Sequence, residues 1–184
     1  MELEVIFLIL ISFVISFLFI YYLRRRFSKN GYTKSLHSEV TYLDGGTKEK
    51  ILMAQKKKGN GFVILCDSEE ALRRYYSKIV KSINLKCLSV EKGYDVYSEL
   101  CTTKCKLLII DTMLAGPIDG LQVIKTIREF LGLEIPIIVL TNLVSDSIVK
   151  EAYAVGADNY LVKTDIEEED LIKAIKKELR IIRF

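Results

Sequence analysis

Four polar side chains close apolar runs in this 184-residue chain: Asp67 after Phe62 to Cys66, Asp111 after Leu107 to Ile110, Thr141 after Ile135 to Leu140, and Lys163 after Asn159 to Val162. Runs of this length, too short for a helix and with no polar alternation, suit parallel strands buried on both faces. The carboxyl ends of such strands form the ligand crevice of an open parallel sheet. Two carboxylates there suit a hard divalent cation such as magnesium, which takes oxygen ligands and keeps some waters. A lysine and a hydroxyl beside them suit a phosphoryl group. Taken singly, each has a plainer reading, since aspartate caps helices or starts turns and lysine is ordinarily solvated. What points to a site is that all of them fall at one end of one sheet.

The elements that must hold these residues alternate regularly. Asp67-Ser68 can cap a helix from Glu69 to about Ile83, whose Leu72, Tyr75, Tyr76, Ile79, Val80 and Ile83 fall on helical spacing. A short strand over Leu85–Val90 and a helix from Tyr94 to about Cys101 follow. The Asp111 strand leads through a loop with Gly116, Pro117 and Gly120 to a helix over Leu121–Leu131. After the Thr141 strand comes a helix from about Asp146 to Val155. The last helix, Glu167 to about Arg180, has acids in its first turn and bases in its last, as the helix dipole prefers. Five strand–helix alternations predict an α/β, doubly wound, five-stranded parallel sheet with right-handed crossovers.

Over about residues 61 to 182 the chain resembles the receiver domain of bacterial two-component response regulators, a flavodoxin-like fold. Asp111 in Leu-Ile-Ile-Asp matches the phosphoacceptor, and Asp119-Gly120-Leu121 matches the start of the next helix. Thr141 in Ile-Val-Leu-Thr matches the hydroxyl residue, and Gly156 to Lys163 matches the Gly-Ala-Asp-Asp-Tyr-Leu-Val-Lys segment. Thr141 lies 30 residues after Asp111, and Lys163 lies 22 after Thr141, which also fits. The resemblance implies that Asp111 attacks the phosphohistidine of a sensor histidine kinase or phosphotransfer protein. Magnesium would be held by Asp67 and Asp111, with Ser68 and Glu69 as further candidate ligands. Lys163 would pair with the phosphoryl group, the Thr141 hydroxyl would move to it, and Tyr160 would change rotamer and alter an output surface. It implies a phosphoacceptor signalling domain rather than a turnover enzyme.

Departures from the family bear on the metal. Two adjacent acids usually follow the first strand, but here the run is Leu-Cys-Asp-Ser-Glu-Glu-Ala-Leu-Arg. Either Ser68 replaces the second acid or, with the alignment slid by one, Cys66 replaces the first. Fewer anionic ligands weaken magnesium binding. The loop after Asp111 has Ala115 where the family has proline and is one residue longer. Thr164 replaces the proline after Lys163, which predicts a rebuilt loop.

Val5 to Leu23 is uncharged for nineteen residues, about 28 Å as a helix and close to the thickness of a bilayer core. Glu2 and Glu4 precede it and Arg24-Arg25-Arg26 follow. That is unlike a cleaved signal peptide, and it predicts one transmembrane helix with the N-terminus outside and the receiver domain cytoplasmic. Tyr21 and Tyr22 sit where an aromatic belt would. Residues 24–60 carry a net +7 and read as a basic juxtamembrane linker, with a short helical turn over 47–56. Each base could gain about 1 kcal/mol from anionic lipid. Residues 61–184 carry −2, which argues against nucleic-acid binding by the globular part. Cys66, Cys87, Cys101 and Cys105 lack paired metal-ligand spacing, and the single histidine, His37, is far upstream.

The chain ends at Phe184, soon after the last predicted helix, so the expectation is a membrane-anchored, single-domain regulator that signals through protein contacts. A homodimer is a candidate assembly. The altered acidic pair favours a rival, a pseudo-receiver that docks or dimerises without phosphorylation. A small-molecule or enzymatic doubly wound domain is a weaker rival, because no glycine-rich phosphate loop follows the first strand.

Overall fold

The structure, a computed structural model, describes residues 43–181. The transmembrane helix expected over Val5–Leu23, and most of the basic linker, lie outside the described residues. Among the described residues no helix is long and apolar enough to cross a membrane.

Five strands, β1 (Phe62–Cys66), β2 (Cys87–Val90), β3 (Cys105–Ile110), β4 (Ile137–Thr141) and β5 (Asn159–Val162), form one sheet in the order β2-β1-β3-β4-β5. Every pairing is parallel. The three central strands are nearly continuous apolar runs because both their faces are covered, whereas the edge strands β2 and β5 are only partly buried. On one face Val63, Leu65, Leu107, Ile109, Ile138 and Leu140 pack with helices α2 (Glu70–Ser82) and α6 (Glu168–Glu178). Alternation turns the buried Ile64, Leu108, Ile110, Ile137 and Val139 to the other face. Helices α3 (Gly93–Thr102), α4 (Gly120–Lys125) and α5 (Asp146–Ala154) complete the winding.

Most element boundaries fall within two residues of the sequence expectation, but three local details differ. Asp67 does not cap α2 by its side chain; the N-cap is Glu69, whose N–H donates to Asp67 Oδ1 at 2.9 Å. The helix expected over Leu121–Leu131 is α4 followed by a π-helical turn at Thr126–Phe130. Its start is a reciprocal cap, in which Asp119 accepts from Gln122 N at 2.8 Å and Gln122 Oε1 from Asp119 N at 3.2 Å.

The third difference is the largest. The short turn expected over 47–56 is an eleven-residue helix, α1 (Gly45–Gln55), capped by Asp44, which accepts from Thr47 N at 2.7 Å. It packs along α3, burying Ile51 and Ala54. The Gln55 amide closes the contact: Nε2 donates to Leu100 O at 3.0 Å and Thr103 O at 2.9 Å, and Oε1 accepts from Cys105 N at 2.8 Å. Lys57 Nζ donates to Thr102 O at 3.0 Å, and the Lys48 ammonium lies 4.7 Å from the Phe130 ring centre. Two buried side chains are too few for a periodic signal, so the pattern predicts no more than a short turn within a linker.

Candidate functional site

In this sheet order the chain leaves β1 toward β2 on one side and returns to β3 on the other. The loops after β1 and β3 therefore part, and a crevice opens at their carboxyl ends. Asp67 and Asp111 are the first residues past these two strands. Both remain tied to the sheet, Asp67 N donating to Val90 O at 3.2 Å and Asp111 N to Cys66 O at 2.9 Å. Lys163 follows β5 in the same way, its N–H donating to Thr141 O at 2.8 Å. Sheet hydrogen bonding thus fixes the backbone beneath each side chain.

The three side chains meet at one atom. Lys163 Nζ lies 2.6 Å from Asp67 Oδ2 and 2.6 Å from Asp111 Oδ2, with the side chains of Lys163, Asp67 and Asp111 only 4%, 2% and 7% exposed. The other oxygen of each carboxylate accepts from a turn: Asp67 Oδ1 from Glu69 N, and Asp111 Oδ1 from Met113 N at 3.0 Å. Burial works to lower the Lys163 pKa. The hydrogen bonds and charges of Asp111 and Asp67 outweigh it and hold the ammonium above its ordinary value. Two carboxylates against one ammonium leave the cluster one negative charge in surplus.

Glycine and aspartate in the flanking motifs have structural reasons. A Cβ on Gly120 would lie 2.0 Å from Asp111 O, so only glycine lets the start of α4 press against the end of β3. Gly156, at φ +105°, turns the chain from α5 toward β5. Asp158 Oδ2 then accepts from Ile137 N at 2.7 Å and from Arg128 at 3.0 Å, fixing the start of β4.

Thr141 ends β4, fully buried, and its Oγ1 lies 2.8 Å from Thr112 Oγ1. It also accepts from Leu143 N at 3.4 Å. The Tyr160 hydroxyl donates to Leu143 O at 2.9 Å, and burial, followed by the charge of Asp111, pushes its phenol pKa up. Asp67, Asp111 and Lys163 are therefore in direct contact. Thr141 adjoins them through the Lys163 backbone and through Thr112, and Tyr160 is one loop residue away.

Ser68 Oγ donates to Met113 O at 3.3 Å, whereas Glu69 is exposed. Cys66 is fully buried, and burial pushes its thiol pKa up. Asp67 is thus the one residue of the Cys66–Ser68 run that supplies a carboxylate. Among the described residues no group of three or more His, Cys, Asp or Glu side chains gathers to hold a metal ion. The oxygens present, from two carboxylates, the Ser68 hydroxyl and the Met113 carbonyl, are hard donors that suit magnesium in type, but they carry little charge beside the Lys163 ammonium. No cis peptide bond occurs among the described residues, so the bond from Lys163 to Thr164 is trans, and Asp165 N closes the following turn on Val162 O at 3.0 Å.

Two residues of this region escaped the sequence reading. Arg73, the last residue of the Leu65–Arg73 run, donates to Asp67 O at 2.8 Å and Ser68 O at 2.9 Å, pinning the loop that carries the first acid. Thr112 passed as a loop residue. Strand register is the signal that could have found it: Ile110 pairs with Val139, and two further residues on each strand set Thr112 beside Thr141.

A parallel sheet of this order, with acids on either side of its switch point and a lysine beside them, belongs to the flavodoxin-like class. Residues 63–176 match the response regulator receiver domain, and the chain belongs to that family. It is 26% identical over 119 residues to the phosphate regulon transcriptional regulatory protein PhoB of Pseudomonas aeruginosa, covering 64% of this chain and 51% of that protein. It is 28% identical over 109 residues to the DNA-binding transcriptional regulator NtrC of Klebsiella pneumoniae, covering 59% and 23%. The chain thus matches about half or less of the length of these relatives. Among solved structures, a two-component response regulator from Clostridium difficile superposes with a TM-score of 0.61 at 20% identity, covering 66% of this chain and 97% of that one. The chemotaxis protein CheY4 of Vibrio cholerae superposes with a TM-score of 0.59 at 22% identity, covering 65% and 98%. At these identities the superpositions speak for the fold.

Proposed function

We propose that this receiver is anchored to the cell membrane through Val5–Leu23 and accepts a phosphoryl group on Asp111, passing the signal on by protein contact. The observation that carries the proposal is the single Lys163 ammonium bonded to both Asp67 and Asp111 at the sheet's switch point. A carboxylate oxygen of Asp111 attacks the phosphorus of a phosphohistidine. The O–P bond forms as the P–N bond breaks, and the imidazole leaves with the nitrogen electron pair. Asp67 and Asp111, with Ser68 and the Met113 carbonyl, would hold magnesium, which when bound neutralises charge on the transferring group. Lys163 exchanges one carboxylate for the new phosphoryl oxygens, and the Thr141 hydroxyl turns toward them. Tyr160, tied through Leu143 to the same loop, carries the change to the surface formed by α5, β5 and α6.

Anchoring rests on the uncharged nineteen-residue run and on the arginines after it, which favour a cytoplasmic receiver within reach of a sensor histidine kinase or phosphotransfer protein. A second reading is supported by Ser68 standing where a carboxylate is usual and by the ammonium already balancing part of the acid charge: a docking or dimerisation module that works without phosphorylation. The full chain in mild detergent, given magnesium and acetyl phosphate, is expected to gain one base-labile phosphoryl group by mass, and Asp111→Asn to gain none. Absence of any mass gain in the unaltered chain favours the docking module.

A further inference from the structure

We infer that Thr112 is a positioning residue, holding the Thr141 hydroxyl in its resting orientation and so setting how readily Asp111 stays phosphorylated. The inference rests on the phosphoacceptor reading above and deepens it. Thr112 Oγ1 and Thr141 Oγ1 are 2.8 Å apart, with Thr112 6% and Thr141 0% exposed, so water does not compete for either hydroxyl. A hydroxyl has one proton to give. The Leu143 N–H takes one lone pair of Thr141 Oγ1; the contact with Thr112 takes either its proton or its second lone pair, and in both cases it holds the same side-chain rotamer. Thr112 directly follows the acceptor Asp111 and also passes its carbonyl to Gly120 N at 3.1 Å, so its backbone is fixed between β3 and α4. Threonine is stiff about χ1, and the paired orientation is therefore a defined state.

For Thr141 to reach a phosphoryl oxygen it must leave Thr112, and the Leu143 bond must give with it. Leu143 O accepts from the Tyr160 hydroxyl, so the same rotation loosens the tether of Tyr160. Thr112 thus stands at the head of a chain of contacts, Thr112 to Thr141 to Leu143 to Tyr160, whose resting form it stabilises by about one hydrogen bond. A buried hydroxyl that loses its partner seeks another. With Thr112 unable to pair, the phosphoryl group becomes the best partner open to Thr141.

The test compares Thr112→Val, which keeps the shape and removes the hydroxyl, with Thr112→Ser, which keeps the hydroxyl, both in the full chain in detergent. At a fixed, subsaturating acetyl phosphate concentration, Thr112→Val is expected to raise the ratio of phosphorylated to free protein about fivefold, the factor for one hydrogen bond. Thr112→Ser should match the unaltered chain. Independently, in unphosphorylated protein the Leu143 amide and Tyr160 ring signals by NMR should move in Thr112→Val toward their positions in the phosphorylated unaltered chain, and stay in place in Thr112→Ser. Equal behaviour of the two variants in both readouts overturns the inference, because Thr112 would then act through packing alone. If the unaltered chain takes up no phosphoryl group, the acceptor reading has failed by itself. Its effect on phosphorylation falls with that reading, and the positioning role alone is then decided by NMR. The two signals must leave their places in the unaltered chain in Thr112→Val and keep them in Thr112→Ser, and otherwise Thr112 does not hold Thr141. Should Thr112→Val not fold, Thr112→Ala makes the same comparison.

Discussion

The two ends of the central strand β3 are held by opposite means. At its carboxyl end Asp111 shares a buried ammonium with Asp67, and every side chain of the cluster is charged. At its amino end the neutral Gln55 amide of α1 accepts from Cys105 N and donates to Leu100 O and Thr103 O. Both ends satisfy buried polar groups, but only the charged one carries groups of a kind that the proposed exchange needs: acids that a cation suits and an ammonium that an anion suits. No ion in solution is drawn to three neutral amide bonds. One end can switch while the other anchors, and the helix upstream of β1 belongs to the anchoring end.

The sharpest test of that contrast removes the shared ammonium. Lys163→Met leaves two carboxylates facing each other with almost no solvent, and loss of one partner from a buried ionic group costs about 3 to 5 kcal/mol. The expected outcome is a loss near the lower figure in urea unfolding, partly restored by millimolar magnesium, since the freed acids then bind the cation. A variant whose stability does not respond to magnesium would break the idea that this end exchanges partners.

Gln55→Ala acts on the other end and is smaller in effect. It removes three bonds from a half-buried position and leaves the Cys105 N–H and two carbonyls to find water, a loss of about 2 kcal/mol. Magnesium should not restore it, and the phosphoryl uptake proposed for Asp111 should be unchanged. A drop in yield would show that the amino end is part of the switch and not only its support.

This division also explains what the residues disclosed before the structure. The central strands were legible because burial on both faces makes them continuous apolar runs, and the acid pair and lysine because each is the first polar residue after such a run. α1 was legible only as a short turn, since its docking rests on Ile51, Ala54 and one glutamine amide, and no periodic stripe marks it. Thr112 was missed for a different reason. Its role depends on a neighbour on another strand, and register between parallel strands separated by a helix is a long-range property that the order of residues does not display. The pairing of Ile110 with Val139 supplies it at once.

The smallest expected effect concerns pH. Lys163 has its pKa raised above the ordinary 10.5, the favourable bonds and charges of Asp111 and Asp67 outweighing a burial that works the other way. A raised value means that the folded chain binds this proton more tightly than the unfolded chain does. The stabilisation it contributes is therefore complete below the ordinary value and fades as pH climbs through the folded-state value. Other lysines and the tyrosines titrate in the same range, so the informative quantity is a difference. Urea unfolding of the unaltered chain and of Lys163→Met, compared from about pH 9 to about pH 11.5, should show the gap between them narrowing on the alkaline side. In Gln55→Ala the alkaline fall should match that of the unaltered chain, because its missing bonds carry no proton. A gap between the unaltered chain and Lys163→Met that stays constant across the range would mean that the ammonium gains nothing from its two acids beyond what it has in water. The carboxyl end of β3 would then be as fixed, and as indifferent to its surroundings, as the amino end.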